Sequence, residues 1–400
     1  MRAQTPSSPI GLEQVRILYI ASGIPVPGTL GGSTHTLEVA RGLAARGHTV
    51  HVVASAHEGW DSVRAFLRPE SSFTGEFHLH QINIPKAASL ASTGLITRLA
   101  KAVQPDLVME RYYNFAGAGL IAAQRLKLPS LLEVNALIVD PPEVFKRRLD
   151  DRLGGPMRRW AVQQCRWADR IVTPLASTVP AEIDREKIVE LPWGAAVERF
   201  TATPNYQPNA APTAVFLGSF RAWHGVLDVV RAAIRLLEQG HNYRFVLIGD
   251  GPERAEAEQL ASAWPNNFTF TGSVAYEQVP EYLAQAQLGV APFNTEPHPA
   301  LRSAGFFWSP LKVYEYMAAG LPVVTADIYP LNQVIRHEQE GLLFNEGNIE
   351  QLAQAMARVL DNPTLAQQLG QAGRTRVNEH YSWARHCADL EEIMLQLVAK

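Results

Sequence analysis

Lys312 and Glu315 stand three residues apart in the segment Ser309-Pro-Leu-Lys-Val-Tyr-Glu-Tyr-Met-Ala-Ala-Gly-Leu-Pro-Val-Val-Thr325. A lysine can meet a phosphate, and a carboxylate can accept hydrogen bonds from two neighbouring hydroxyls, as on a ribose. With Leu311 before them, both fall where a helix starts, and free N–H groups and the positive dipole end favour an anion there. The segment has the chemistry of a nucleoside-diphosphate site. An amphipathic helix in which the two charges merely pair across one turn is the alternative.

Four other groups fall at strand ends. Gly28-Thr-Leu-Gly31-Gly32-Ser33 follows the first strand, and Gly31 and Gly32 let a backbone approach a diphosphate or sugar with no Cβ in the way. The spacing matches neither the dinucleotide fingerprint nor a P-loop, and a plain strand-to-helix turn explains it equally. In Gly218-Ser-Phe-Arg221-Ala-Trp-His224-Gly225, Arg221 can form paired bonds to phosphate oxygens and His224 a weaker, pH-sensitive one. A surface arginine beside a capping turn is the plainer account, and Trp223 reads as packing. Ile248-Gly-Asp-Gly-Pro252 is a tight turn whose Asp250 would repel phosphate. Phe270-Thr-Gly272-Ser-Val274 could present backbone groups, those of Val274 included, to a base edge.

The elements that carry these groups follow from the apolar pattern. Short aliphatic runs alternate with longer helical ones, which predicts an α/β chain with parallel strands and crossover helices. Strands are expected at Val15–Ile20, Thr49–Ala54, Leu107–Glu110, Ser130–Val134, Arg170–Pro174 and Lys187–Leu191, and helices at Leu37–Arg46 and near Val226–Gln239. A second series of strands runs through Ala214–Leu217, Phe245–Ile248, Phe268–Thr271, Leu288–Ala291 and Pro322–Thr325. Four hundred residues are too many for one ordinary core. The chain divides into a tail (1–13, disordered), a first domain (14–200), a Pro/Asn-rich linker (201–212), a second domain (213–380) and a terminal helix (381–400). Ligands belong in the cleft outside the carboxyl ends of the strands.

Composition narrows the function. The content is 46% hydrophobic and 19% charged with net charge -3, which describes a globular protein and excludes a general nucleic-acid binder. The two cysteines, Cys165 and Cys387, lack metal-type spacing. No Asp-x-Asp cluster suits a metal, so metal independence is expected. No apolar run is long enough to span a bilayer and no secretory signal is visible, which predicts a cytoplasmic protein.

Taken together, Gly31-Gly32, the Arg221/His224 turn, Gly249-Asp-Gly-Pro252, Gly272-Ser-Val274, Leu191-Pro-Trp-Gly194 and the Lys312/Glu315 segment resemble family 4 of the retaining glycosyltransferases, over nearly the whole chain. The resemblance implies a GT-B fold: two Rossmann-like doubly wound domains facing a cleft, with the last helix crossing back to the first domain. It implies transfer of a sugar from a nucleotide-diphosphate sugar, of UDP, GDP or ADP type, to a hydroxyl acceptor on a glycan, glycolipid or small metabolite. Glu315 would hold the donor ribose, Val274 the base and Arg221 the departing diphosphate, with Gly31 and Gly32 closing over it; Lys312 is expected to supply the cation of the usual lysine whose place His224 takes. The family commonly carries a second glutamate eight positions before the ribose glutamate; here that place is Phe307, and Glu296 and His298 in the nearby Pro-rich loop are the candidates to replace it. His224 stands where a lysine is usual, and Asn135 where many members have a histidine near the transferred sugar. A sugar-nucleotide epimerase and a non-catalytic nucleotide- or sugar-binding protein are the alternative functions.

Acceptor recognition is expected on the first domain. Glu110-Arg111-Tyr112-Tyr113 follows a strand end, so Arg111 or Tyr112 can border the cleft, while a buried ion pair of Glu110 with a neighbour is equally open. Basic residues outnumber acidic ones in 145–170, among Leu149, Leu153, Met157, Trp160 and Trp167. Such a helix can rest peripherally on the anionic inner face of a membrane or pack on the domain with a solvated face.

Overall fold

The computed structural model describes residues 14–28, 31–56, 70–84, 86–202, 204–206 and 211–399; the expected N-terminal tail and part of the expected linker lie outside these. The first sheet contains β1 (Arg16–Pro25), β2 (Thr49–Ser55), β3 (Glu70–Phe73), β4 (His78–Gln81), β5 (Leu107–Arg111), β6 (Ser130–Glu133), β7 (Arg170–Thr173) and β8 (Ile188–Glu190). They lie in the order β3-β4-β2-β1-β5-β6-β7-β8. The second holds β9 (Thr213–Leu217), β10 (Arg244–Ile248), β11 (Phe268–Gly272), β12 (Leu288–Ala291), β13 (Val323–Ala326) and β14 (Gly341–Phe344), in the order β11-β10-β9-β12-β13-β14. Pairing is parallel throughout except between β3 and β4.

Ile17, Leu18, Tyr19 and Ile20 are all fully buried, as a parallel strand covered by helices on both faces requires. Strand order reverses beside β1 in the first sheet and beside β9 in the second. These two switch points place the crevices of both domains at their carboxyl edges.

Three strands escaped the sequence reading. β3 is wholly exposed and three of the four residues of β4 are histidine or glutamine, so neither has an apolar signature. β14 is four residues long and opens on a glycine. The first helix starts at Gly31 rather than Leu37, so the paired glycines form its first turn. The single basic helix expected over 145–170 is two, Phe145–Arg152 and Pro156–Trp167. They are broken at Gly154 and Gly155, whose φ of 82° and 76° suits glycine alone.

The helix Trp383–Val398 crosses back to the first domain. The Ala195 N–H donates to the Tyr381 carbonyl at 2.8 Å and the Trp383 N–H to the Ala195 carbonyl at 3.1 Å. Farther along, Glu391 accepts from Arg46 and from His48 Nε2 at 2.8 Å, while Cys387, Leu390, Met394 and Leu397 join the core formed by Val39, Ala40 and Leu43. At the crossing of the two helices a Cβ on Gly42 would lie 2.3 Å from Cys387 Sγ. Gly42→Ala should therefore lower unfolding free energy by about 1–3 kcal/mol. Adding Cys387→Ala should recover part of that loss, read as a positive coupling in a urea-unfolding double-mutant cycle.

Candidate functional site

A cavity of about 640 Å³ opens between the two domains. Of the residues expected at the site, Gly31, His224, Val274, Leu311, Lys312 and Glu315 line it, joined by Thr34, Gly194 and Trp383. Two helices begin at its wall. The helix Gly31–Ala45 has no acidic residue in its first turn, and the helix Leu311–Ala318 starts after Pro310 with no side-chain cap. The positive dipole ends of these two helices favour an anion at the wall, although the Leu311 N–H already donates to the Ser309 carbonyl and the Val313 N–H to that of Pro310.

Lys312 is buried. Its Nζ donates to His224 Nδ1 at 2.9 Å and lies 4.1 Å from the centre of the Phe216 ring and 5.0 Å from that of Phe293. A Cβ at Gly218 would come within 2.8 Å of this nitrogen, and the φ of 139° there also suits glycine, so the turn after β9 is shaped around the lysine. Burial pulls the Lys312 ammonium down to about 7, against an upward pull from Glu315. Burial, then the charges of Lys312 and Arg221, pulls His224 to about 2, so its imidazole is neutral and serves as an acceptor. Burial pushes Glu315 up to about 7, against the Tyr276 hydroxyl that donates to it and the attraction of Lys312 and Arg199. Both groups thus titrate near neutrality, where an anion beside Lys312 or hydroxyl donors beside Glu315 favour the charged form.

Two chains of contacts cross between the domains here. In one, Glu38 on the first helix accepts from Arg199 at 3.0 Å, the Arg199 guanidinium lies 5.0 Å from the Tyr276 ring centre, and Tyr276 meets Glu315. In the other, the Trp193 backbone N–H donates to Ser309 Oγ at 3.0 Å, its indole N–H donates to Asn135 Oδ1 at 2.8 Å, and Asn135 donates to Glu133. Glu133 also accepts from Tyr19 at 2.5 Å and lies 3.3 Å from Arg111. Arg111 in turn donates to His35 Nδ1 at 2.6 Å.

These contacts correct several expectations. Arg221 is exposed and does not line the cavity; Ser219, two residues earlier, does. Asn135 has both ends of its amide engaged within the protein, and Arg111 is buried against His35 and Glu133, so neither is presented to an acceptor. Among the described residues Glu110 has no ion-pair partner. It is buried, pushed by that burial up to about 7, and accepts the N–H groups of Gly117 and Leu120 at 2.7 and 2.8 Å at the start of the helix Ala118–Leu126. Glu296 is exposed and outside the lining, and Gly32 sits behind Gly31, toward Arg111 and Tyr113.

His298 belongs instead to a second cavity of about 220 Å³, with Tyr112 and Phe307. The sequence reading passed over the aromatic wall of the first cavity. Trp223 and Trp308 line it with ring centres 4.3 Å apart, and Tyr276, Phe293 and Trp383 line it elsewhere. Trp223 therefore both packs and faces the site; the run Phe306-Phe-Trp308 just before the Lys312 segment was the available signal.

Comparison with known proteins agrees with this layout. Residues 30–180 match the model of Glycosyltransferase Family 4, and residues 211–362 match that of Glycosyl transferases group 1. The 2-deoxystreptamine glucosyltransferase of Streptomyces kanamyceticus is 25% identical over 68% of this chain and 72% of its own. Among solved structures, sucrose-phosphate synthase from Thermosynechococcus elongatus superposes with a TM-score of 0.71 at 19% identity, over 96% of this chain and 100% of its own. Anabaena HepE in complex with UDP superposes at 0.70 and 17%, with the same coverage. With a GT-B architecture, family models over both domains and a cavity between them, the chain belongs to the family 4 glycosyltransferases, which move a sugar from a nucleotide donor.

Proposed function

We propose that the cavity holds a nucleoside diphosphate sugar, of uridine type, and that the sugar is transferred with retention and without a metal. The observation that carries this is Lys312, a buried lysine within one helical turn of a buried carboxylate, both lining a cavity at whose wall two helices begin. The diphosphate lies against Lys312 Nζ, the Gly31 and Leu311 helix starts and the Gly218–Ser219 turn. Glu315 takes the ribose hydroxyls, and the strand end Ser273–Val274 borders the base. Uridine is proposed because the similar Anabaena protein binds UDP.

In the transfer, the bond between the anomeric carbon and the phosphate oxygen breaks as the acceptor oxygen bonds to the same face of that carbon. The acceptor's proton passes to the departing phosphate oxygen, which leaves as the diphosphate. Charge grows on that phosphate, and fixed donors already aimed at it do the stabilising without reorganising. Arg221 does not reach this position in the present arrangement, so Lys312 carries the cationic role.

Lys312→Met should lower kcat by about 10²–10³-fold, the loss typical of one preorganised donor. Its melting temperature should not fall, because an apolar chain replaces a desolvated ammonium. Steady-state turnover of UDP-glucose beside a thermal melt checks both, and wild-type turnover would overturn the assignment.

UDP affinity should trace a bell in pH. A diphosphate favours protonated Lys312, so affinity falls as pH rises above about 7; the diol favours ionised Glu315, so affinity falls as pH drops below about 7. Calorimetric titration should find the alkaline limb missing in Lys312→Met and the Glu315 part of the acid limb missing in Glu315→Gln.

A further inference from the structure

We propose that the second interdomain cavity is the acceptor subsite and that it takes a single uncharged, hydroxyl-bearing saturated ring, a sugar or a cyclitol. The inference rests on the donor reading of the first cavity and adds the acceptor's class. Trp308 lines both cavities, so a group handed from one to the other passes at its edge. The first domain supplies Tyr112, Tyr113, Asn114, Asp140 and Lys146, and the second supplies His298 and Phe307, so both domains must be present to form the pocket.

Size and lining set the class. At about 220 Å³ the cavity is smaller than the ~300 Å³ at which pockets for drug-sized ligands begin, which suits one ring. Aromatic faces from Tyr112, Phe307 and Trp308 match the apolar C–H faces of such a ring. Polar groups are few and separate. The buried Nδ1 of His298 has no partner among the described residues, while the Asn114 side chain accepts the Tyr112 hydroxyl at 2.9 Å.

Charge is cancelled at the wall. Asp140 and Lys146 pair at 3.0 Å, and burial holds His298 below its ordinary range and therefore neutral. A phosphorylated or carboxylated acceptor would meet no unpaired cation there. The Phe307 that stands in place of the family's second glutamate is consistent with this: it is 2% exposed and forms an apolar partition beside Trp308, with ring centres 5.0 Å apart.

The test uses the full chain saturated with UDP and saturation-transfer NMR on three probes: methyl α-glucopyranoside, myo-inositol and myo-inositol 1-phosphate. Signal from either neutral ring is expected, and which one responds separates a sugar from a cyclitol. His298→Ala should weaken it about five-fold, the worth of one hydrogen bond, with UDP affinity unchanged. Binding of the phosphate alone, of neither neutral ring, or of rings equally well by His298→Ala would overturn the proposal. If UDP itself fails to bind, the donor reading falls first; if UDP binds and the rings do not, only the acceptor subsite is lost.

Discussion

A desolvated ammonium governs this molecule. Lys312 sits among two aromatic faces and a neutral imidazole, with no carboxylate in direct contact. Burying such a charge is costly, and here burial draws its pKa down to about 7. The glycine at 218 makes room for it, and the burial of His224 keeps that ring an acceptor.

The same helix is gripped from the first domain at two points. Ser309 receives the Trp193 N–H just ahead of its first turn, and Glu315 is reached one turn later through Tyr276 and Arg199. Both chains of contacts pass through residues 193–199, the segment that leaves the first domain. The position of Lys312 and Glu315 is thus tied to the relation between the domains.

The legible part of the site was the part encoded locally. Lys312 and Glu315 stand out as two charges in an apolar helix, and Gly31, His224 and Val274 fall at strand ends where a parallel sheet places its ligands. What sequence could not reveal was side-chain direction and long-range partnership. Arg221 has the right chemistry, yet Gly218, Ser219, Trp223 and His224 of that turn line the cavity and Arg221 does not. Asn135 looked available for a sugar, but its partner Trp193 is 58 residues away and Ser309 lies 116 beyond Trp193. The fold was read from buried aliphatic strands; β3 and β4 escaped because an exposed or histidine-rich strand carries no such mark.

The chain passes between the domains twice, and the two passages lie side by side, joined by the Ala195–Ser382 bridge. One strand of polypeptide would act as a swivel, free to turn about any direction. Two that are hydrogen-bonded together act as a door hinge: they permit swinging about one axis and resist torsion. A change in the angle between the lobes would then keep the two faces of the cleft in register.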